Sequence, residues 1–290
     1  MGTNHPQSAL KEFAMQIFTP RRVSLRFTTH ITILAAVLAA PFLLIPAQAA
    51  ATQNHLTPFL SATITASANA AKPAVNFGPN VYIFTPSTPL SQIQATVDSI
   101  ATQQVPNQFG TQRYALLFAP GTYGSSATPL NFQVGYYTTV AGLGQNPTDV
   151  VINGSIDSYN QCFATNNCIA LDNFWRSLSN LTINVTNPSA GCYTGEFWAV
   201  SQASPVRRVQ VNGNATFMDY CTSPSYGSGG FVADSQFING SIVSGSQQQW
   251  VTRNSQIDSW SNGVWNQVFS GVIGAPAQCF PAGSCGGPYT

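Results

Sequence analysis

Charged side chains are scarce in this chain: they make up 7% of its 290 residues, against about 25% in ordinary globular domains. Histidine is scarcer still, and His5, His30 and His55 all precede residue 56. A Ser-His-Asp or Cys-His system needs an imidazole beside its nucleophile, so both are excluded from everything downstream. The same absence, with no Cys-x-x-Cys spacing, argues against a metal centre. Basic residues beyond position 70 are limited to Lys72, Arg113, Arg176, Arg207, Arg208 and Arg253. They are too few and too scattered for the basic face that a nucleic acid requires. Long helical patterns are also missing after about residue 104. What abounds is Ser, Thr, Asn, Gln and Gly among Val, Ile, Phe and Trp: a neutral polar surface over a packable core.

The chain opens with an export pattern. Arg21, Arg22 and Arg26 precede an apolar run from Ile31 to Ile45, and Ala47-Gln48-Ala49 fits the small-x-small pattern cut by signal peptidase. The run is about 15 residues, short of the roughly 20 needed to span a bilayer, and Pro41 and Pro46 interrupt it. Residues 1–50 therefore read as a signal peptide with its leader, with Met15 as the natural start, and no membrane span is expected once it is cleaved. Residues 51–75, rich in Ala, Thr and Ser, read as a flexible linker. The expected location is outside the cell. Six cysteines, all beyond residue 160, fit an oxidising compartment. Local spacing points to Cys162–Cys168, Cys192–Cys221 and Cys279–Cys285, although spacing cannot choose among the possible connectivities.

Residues 76–290 read as one all-β domain. A short strand ending at Phe84 is followed by Ser87-Thr88-Pro89, a helix cap with proline at the first helical position. Leu90, Ile93, Val97 and Ile100 then recur at helical spacing to about Gln103. A strand from Tyr114 to Phe118 and a turn at Pro120-Gly121-Thr122-Tyr123 come next. Thereafter similar short runs recur. Asp149-Val150-Val151-Ile152-Asn153-Gly154 can be laid over Arg208-Val209-Gln210-Val211-Asn212-Gly213 and over Ser235-Gln236-Phe237-Ile238-Asn239-Gly240. Steps of roughly 31, 28, 26, 20 and 16 residues are the irregular period of a coiled parallel-strand solenoid. The fold class is thus all-β, a right-handed parallel β-helix whose N-terminal α-helix caps the open end of the cylinder. No cap is visible at the other end. Either a Cys279–Cys285 loop covers the last coil, or the chain is a C-terminally truncated fragment.

The segment from Phe77 to Ile273 resembles the pectate-lyase-like β-helix superfamily. Its opening strand, capping helix and Pro120-Gly121-Thr122-Tyr123 segment are similar to the start of family 55 exo-β-1,3-glucanases. Phe77-Gly78-Pro79-Asn80, Asn173-Phe174-Trp175-Arg176-Ser177-Leu178, Trp198-Ala199-Val200-Ser201-Gln202, Ser246-Gln247-Gln248-Gln249-Trp250 and Gly263-Val264-Trp265-Asn266 resemble secreted microbial proteins catalogued with an appended discoidin-type (coagulation factor 5/8 type) domain. No such module is present in this sequence.

Without histidine, hydrolysis of a glycan falls to carboxylates. Two must flank the scissile bond, about 5.5 Å apart for retention and roughly 6.5 to 9.5 Å for inversion. After the capping helix the acids are Asp149, Asp157, Asp172, Glu196, Asp219, Asp234 and Asp258. Glu196 precedes Phe197-Trp198, and Asp219 precedes Tyr220-Cys221; a Cys192–Cys221 bridge would draw the two segments together. An acid beside aromatic rings gains the raised pKa that a proton donor needs. Asp219 and Glu196 are the expected catalytic acids. The resemblance to the glucanases adds Gln248, because a glutamine-rich motif there helps to hold the attacking water. Trp198, Tyr220, Trp250, Arg253 and Trp265 are expected to bind substrate, and Trp175 and Trp260 could extend a row of sugar-stacking indoles.

The leading expectation is a secreted, carbohydrate-active glycoside hydrolase that needs no cofactor, takes a polysaccharide as partner, and is monomeric unless its terminal coil pairs. Two alternatives stand beside it. One is a non-catalytic extracellular protein that binds glycans. The other is a polysaccharide lyase using Ca²⁺ at Asp234 and Asp258 with Arg253 as base; the scarcity of cations to meet uronic acids counts against it.

Overall fold

A computed structural model describes residues 76–186, 191–243, 247–261 and 266–278. The leader, the linker, Trp265, Cys279 and Cys285 lie outside these residues. What is described is a parallel β-helix with one α-helix.

Its main ladder runs through strands Val81–Phe84, Tyr114–Phe118, Thr138–Gly142, Arg176–Val185, Val206–Asn212, Phe231–Ala233, Val251–Arg253 and Val268–Ser270, each parallel to the next. Each coil returns the chain above its predecessor, so inward side chains stack into columns. Leu116, Val140, Leu178, Val206 and Val232 form one. Ile152, Ile183, Val211, Phe237 and Ile257 form another. Both belong to a single buried core.

The expected overlay holds between the coils of Val151 and Gln210, which share Thr182 as their neighbour. Its third member is out by one residue. Gln236, not Phe237, lies beside Gln210. A one-residue slip reverses every side chain in a strand, and burying Phe237 while exposing Gln236 decides the register. The Pro120-Gly121-Thr122-Tyr123 segment is also corrected: Gly121–Tyr123 is a short strand paired with Val150–Ile152.

Corners between strands need backbone in the left-handed region, which non-glycine residues adopt at a cost. Two stacked columns of such residues run along the helix. Asn180, Arg208, Asp234 and Asn254 have φ of 55°, 55°, 53° and 46°. Tyr137, Trp175, Ala203 and Gln249 have φ of 55°, 53°, 58° and 52°. Asparagines consolidate the coils from outside: Asn184 donates to Asn153 (2.9 Å), Asn212 donates to Asn184 (2.8 Å), and Asn180 donates to the Gly142 and Gly144 carbonyls. The side-chain amides of Asn153, Asn180 and Asn184 are thus engaged within the solenoid.

The helix, Leu90–Gln104, lays Ile93, Val97 and Ile100 over the first coil. Its start differs from expectation. Pro89 is the cap residue and has no side-chain bond, because the Thr88 hydroxyl accepts from the Thr85 amide in the preceding turn. At the far end the Gln104 carbonyl accepts from Tyr136 N, and Gln104 Nε2 donates to Tyr136 O. A Cβ on Gly135 would lie 2.2 Å from the Gln104 carbonyl carbon, so only glycine permits this close approach.

Disulfides join Cys162 to Cys168, within the antiparallel pair Gln161–Ala164 and Asn167–Ile169, and Cys192 to Cys221.

Candidate functional site

Strand Val150–Asp157 outruns the strand above it, whose pairing ends at Gly154 and Val185. Backbone groups beyond that point need other partners. The chain returns there as Glu196–Phe197, and two carboxylates bridge the gap. Glu196 Oε2 accepts from Ile156 N at 2.9 Å, and Asp157 Oδ1 accepts from Phe197 N at 2.9 Å. Asp157 Oδ2 also takes the Ser155 hydroxyl (2.7 Å) and the Tyr159 phenol (2.8 Å). Both acids are buried, and neither has a cation partner among the described residues. Burial raises the Asp157 carboxyl to about 6. Burial, and then the Asp157 charge, hold Glu196 well above the ordinary carboxylate range. The Glu196 Oε1 atom has no hydrogen-bond partner.

Asp219 is buried too. Its Oδ1 accepts from Cys221 N at 3.0 Å and its Oδ2 from Asn160 N at 3.1 Å. The Tyr193 phenol lies at 3.4 Å from the same Oδ2; burial and this carboxylate push Tyr193 up to about 12. The Cys192–Cys221 bridge joins the two segments, and Tyr220, next to Asp219, packs on Phe197, next to Glu196, at 5.5 Å. Phe197 sits at the centre, with Tyr159, Tyr193 and Tyr220 rings at 5.7, 5.1 and 5.5 Å. Only Tyr220, at 45% exposure, presents a broad face to solvent. Each carboxylate keeps at least one oxygen on a backbone amide.

Two expected sugar platforms are corrected. Trp198 is 2% exposed and donates to Ser204 O, and Trp250 is 0% exposed and donates to Thr252 Oγ1. Trp250 packs on Phe217 and Trp260 at 4.4 and 6.0 Å. An indole without an open face cannot stack on a sugar; both are core. Gln248 is exposed in the short pair Gly227–Ser228 with Gln247–Gln248. Arg253 is exposed on the main ladder, two rungs above Arg207 through Ala233. Trp265 lies outside the described residues. Trp175, by contrast, is 40% exposed.

Sequence reasoning missed the amides that share one outer register. Gln210, Gln236 and Gln256 stack on successive coils. With Arg208, Asp234 and Asn254 they line a groove of about 650 Å³. Arg207 (3.2 Å) and the Asn254 amide (3.3 Å) hold Asp234 ionised, lowering its pKa. Arg208 is spent on Gln145 O and Asn180 Oδ1. The overlay set Phe237 beside Gln210, and that misplaced register hid the recurrence of glutamine at one outward position. Among the described residues no three His, Cys, Asp or Glu side chains gather to hold a metal, and no helix is long and apolar enough to cross a membrane.

The family model described as "Rhamnogalacturonase A/epimerase, pectate lyase-like" matches residues 93–275. An exo-beta-1,3-glucanase from Streptomyces sp. (strain SirexAA-E / ActE) is 44% identical over 259 residues, 89% of this chain and 38% of the relative. The structure of sacteLam55A from Streptomyces sp. SirexAA-E aligns with a TM-score of 0.62 and 47% identity, covering 71% of this chain and 34% of that one. A glutamate-to-alanine variant of it, in complex with glucose, aligns at 0.60 and 46% over the same shares. The chain thus spans well under half the length of these relatives.

Proposed function

Because the chain belongs to the rhamnogalacturonase A/epimerase, pectate-lyase-like family, we propose that it is a secreted carbohydrate-active protein of the glycoside hydrolase kind that works on a β-1,3-glucan. The 44% identity to an exo-beta-1,3-glucanase across 89% of the chain carries this reading. The amide-lined groove of Gln210, Gln236 and Gln256 suits a neutral polymer, since it can exchange hydrogen bonds with hydroxyls without demanding an anion. In this reading the described coils hold the glucan. Asp157, Glu196 and Asp219 shape the wall behind Tyr220, and the protein acts as a monomer.

The test is product release. Incubated with laminarin, the protein should liberate glucose as the first product, as exo attack requires; release of oligosaccharides alone, or of unsaturated uronides from an acidic polymer, would refute the assignment. A second reading, glycan binding without hydrolysis, is favoured by one observation: Asp157, Glu196 and Asp219 are all buried, each with an oxygen held by a backbone amide. It predicts retention on laminarin with no product at all.

A further inference from the structure

One of the two left-handed columns carries an unusual sequence of side chains. On successive coils it presents Tyr137, Trp175, Ala203, Gly229 and Gln249, as the strand registers beside it fix. Tyr137 and Trp175 stack at 5.2 Å with only 7° between ring planes. On the preceding coil the Arg113 guanidinium lies 3.4 Å above the Tyr137 ring and donates to the Gly110 and Gln112 carbonyls. The stack stops at Trp175, because the next two coils offer a methyl group and a hydrogen. The Gln202 side chain lies over Gly229, so the open step beside Trp175 is the single coil of Ala203, about 4.8 Å high. A hollow of about 480 Å³ runs from Asn80 and Arg113 past Tyr137 and Trp175 and ends at Ala203 and Pro205. Phe174 and Tyr136 brace the indole at 5.3 and 6.4 Å.

Amides border the recess. The Gln202 side chain is exposed and lies across Gly229, where an added Cβ would stand 2.5 Å from its Cγ. Gln249 is exposed one coil further. No carboxylate lines the hollow, and its two cations are occupied: Arg113 on Tyr137, and Arg176, buried, on the Val134 carbonyl and Ser158.

A rigid indole with a recess beside it, bordered by neutral amides, matches one ligand chemistry: a pyranose ring that offers its C–H face to the aromatic and its hydroxyls to the amides. We propose that Trp175, with Gln202 beside it, forms a binding subsite for one sugar unit of a neutral glucan. The proposal rests on the functional reading above and deepens it by naming the side chain that grips the polymer.

Affinity electrophoresis through laminarin, with calorimetric titration of the same glucan, tests it on the full chain. Trp175→Ala should weaken binding about tenfold, equivalent to about 1.4 kcal/mol, with thermal stability close to that of the parent. Trp175→Phe, which keeps a smaller aromatic face, should fall between. Phe163→Ala, which removes an exposed ring of the Cys162–Cys168 hairpin, should bind as the parent does. If the parent binds laminarin and Trp175→Ala binds it equally well, the subsite is wrong while the functional reading survives. If the parent does not bind laminarin, both fail.

Discussion

A carboxylate enclosed without a cation must either fill its oxygens with donors or hold a proton, and the Asp157 and Glu196 pair combines the two. Asp157 takes three donors, while Glu196 takes one and leaves Oε1 unpartnered. Glutamine at position 196 would keep an acceptor for Ile156 N and remove the charge. Glu196→Gln should therefore be at least as stable as the parent at pH 8, whereas Glu196→Ala, which orphans that amide, should lose about 2 to 4 kcal/mol in urea unfolding. If Glu196 instead donates a proton to substrate, Glu196→Gln will lose nearly all turnover; the account expects turnover within about twofold of the parent. The pH dependence has a definite sign. An acid whose folded pKa lies above its unfolded value binds more protons when folded, so stability falls as pH rises from the Asp157 reference of 3.8 through about 6. Melting temperature should drop across that window, and Asp157→Asn should flatten the drop. At this scale the sequence set Glu196 and Asp219 beside aromatic residues but did not single out Asp157, which accepts from Phe197 N and the Tyr159 phenol. It did not tell which way their oxygens turn, because that depends on where a neighbouring strand ends.

The individual elements were legible where burial enforces one answer. Leu90, Ile93, Val97 and Ile100 announce an amphipathic helix, and it covers the first coil as a cap must. The coil spacing was legible because corner residues recur at Asn180, Arg208, Asp234 and Asn254, all in the left-handed region. Strand faces were less so: Ser235-Gln236-Phe237-Ile238 carries two adjacent apolar residues, and only three-dimensional pairing shows that Phe237 points inward. The indoles illustrate the same limit. Trp250 fits because Gly230 leaves room for it, a Cβ there standing 1.7 Å from its ring, and nothing local in the sequence distinguishes it from the exposed Trp175. The join between helix and first coil gives a prediction at this scale. Gly135→Ala drives a methyl into the Gln104 backbone, so it should cost about 1 to 3 kcal/mol and increase hydrogen exchange along Leu90–Gln104. Unchanged exchange there would show that the helix is held by its apolar stripe alone.

Viewed as a whole, the molecule combines a continuous apolar core with an outer surface of amides and hydroxyls. Its one ion pair among the described residues, Arg207 with Asp234, is largely exposed and adds little to stability. That surface explains why composition alone excluded nucleic acid, and it favours a polymer with hydroxyls and no charge. The two grooves lie on different coils: that of Trp175 along the earlier strands from Val81 to Ser177, that of the glutamines along those from Arg208 onward. The most direct measurement is a titration of the intact protein with laminarin and, in parallel, with polygalacturonate, at low and high salt. The account predicts saturable binding of laminarin that salt leaves unchanged, and no binding of polygalacturonate. Salt-sensitive binding of polygalacturonate with laminarin inert would contradict it.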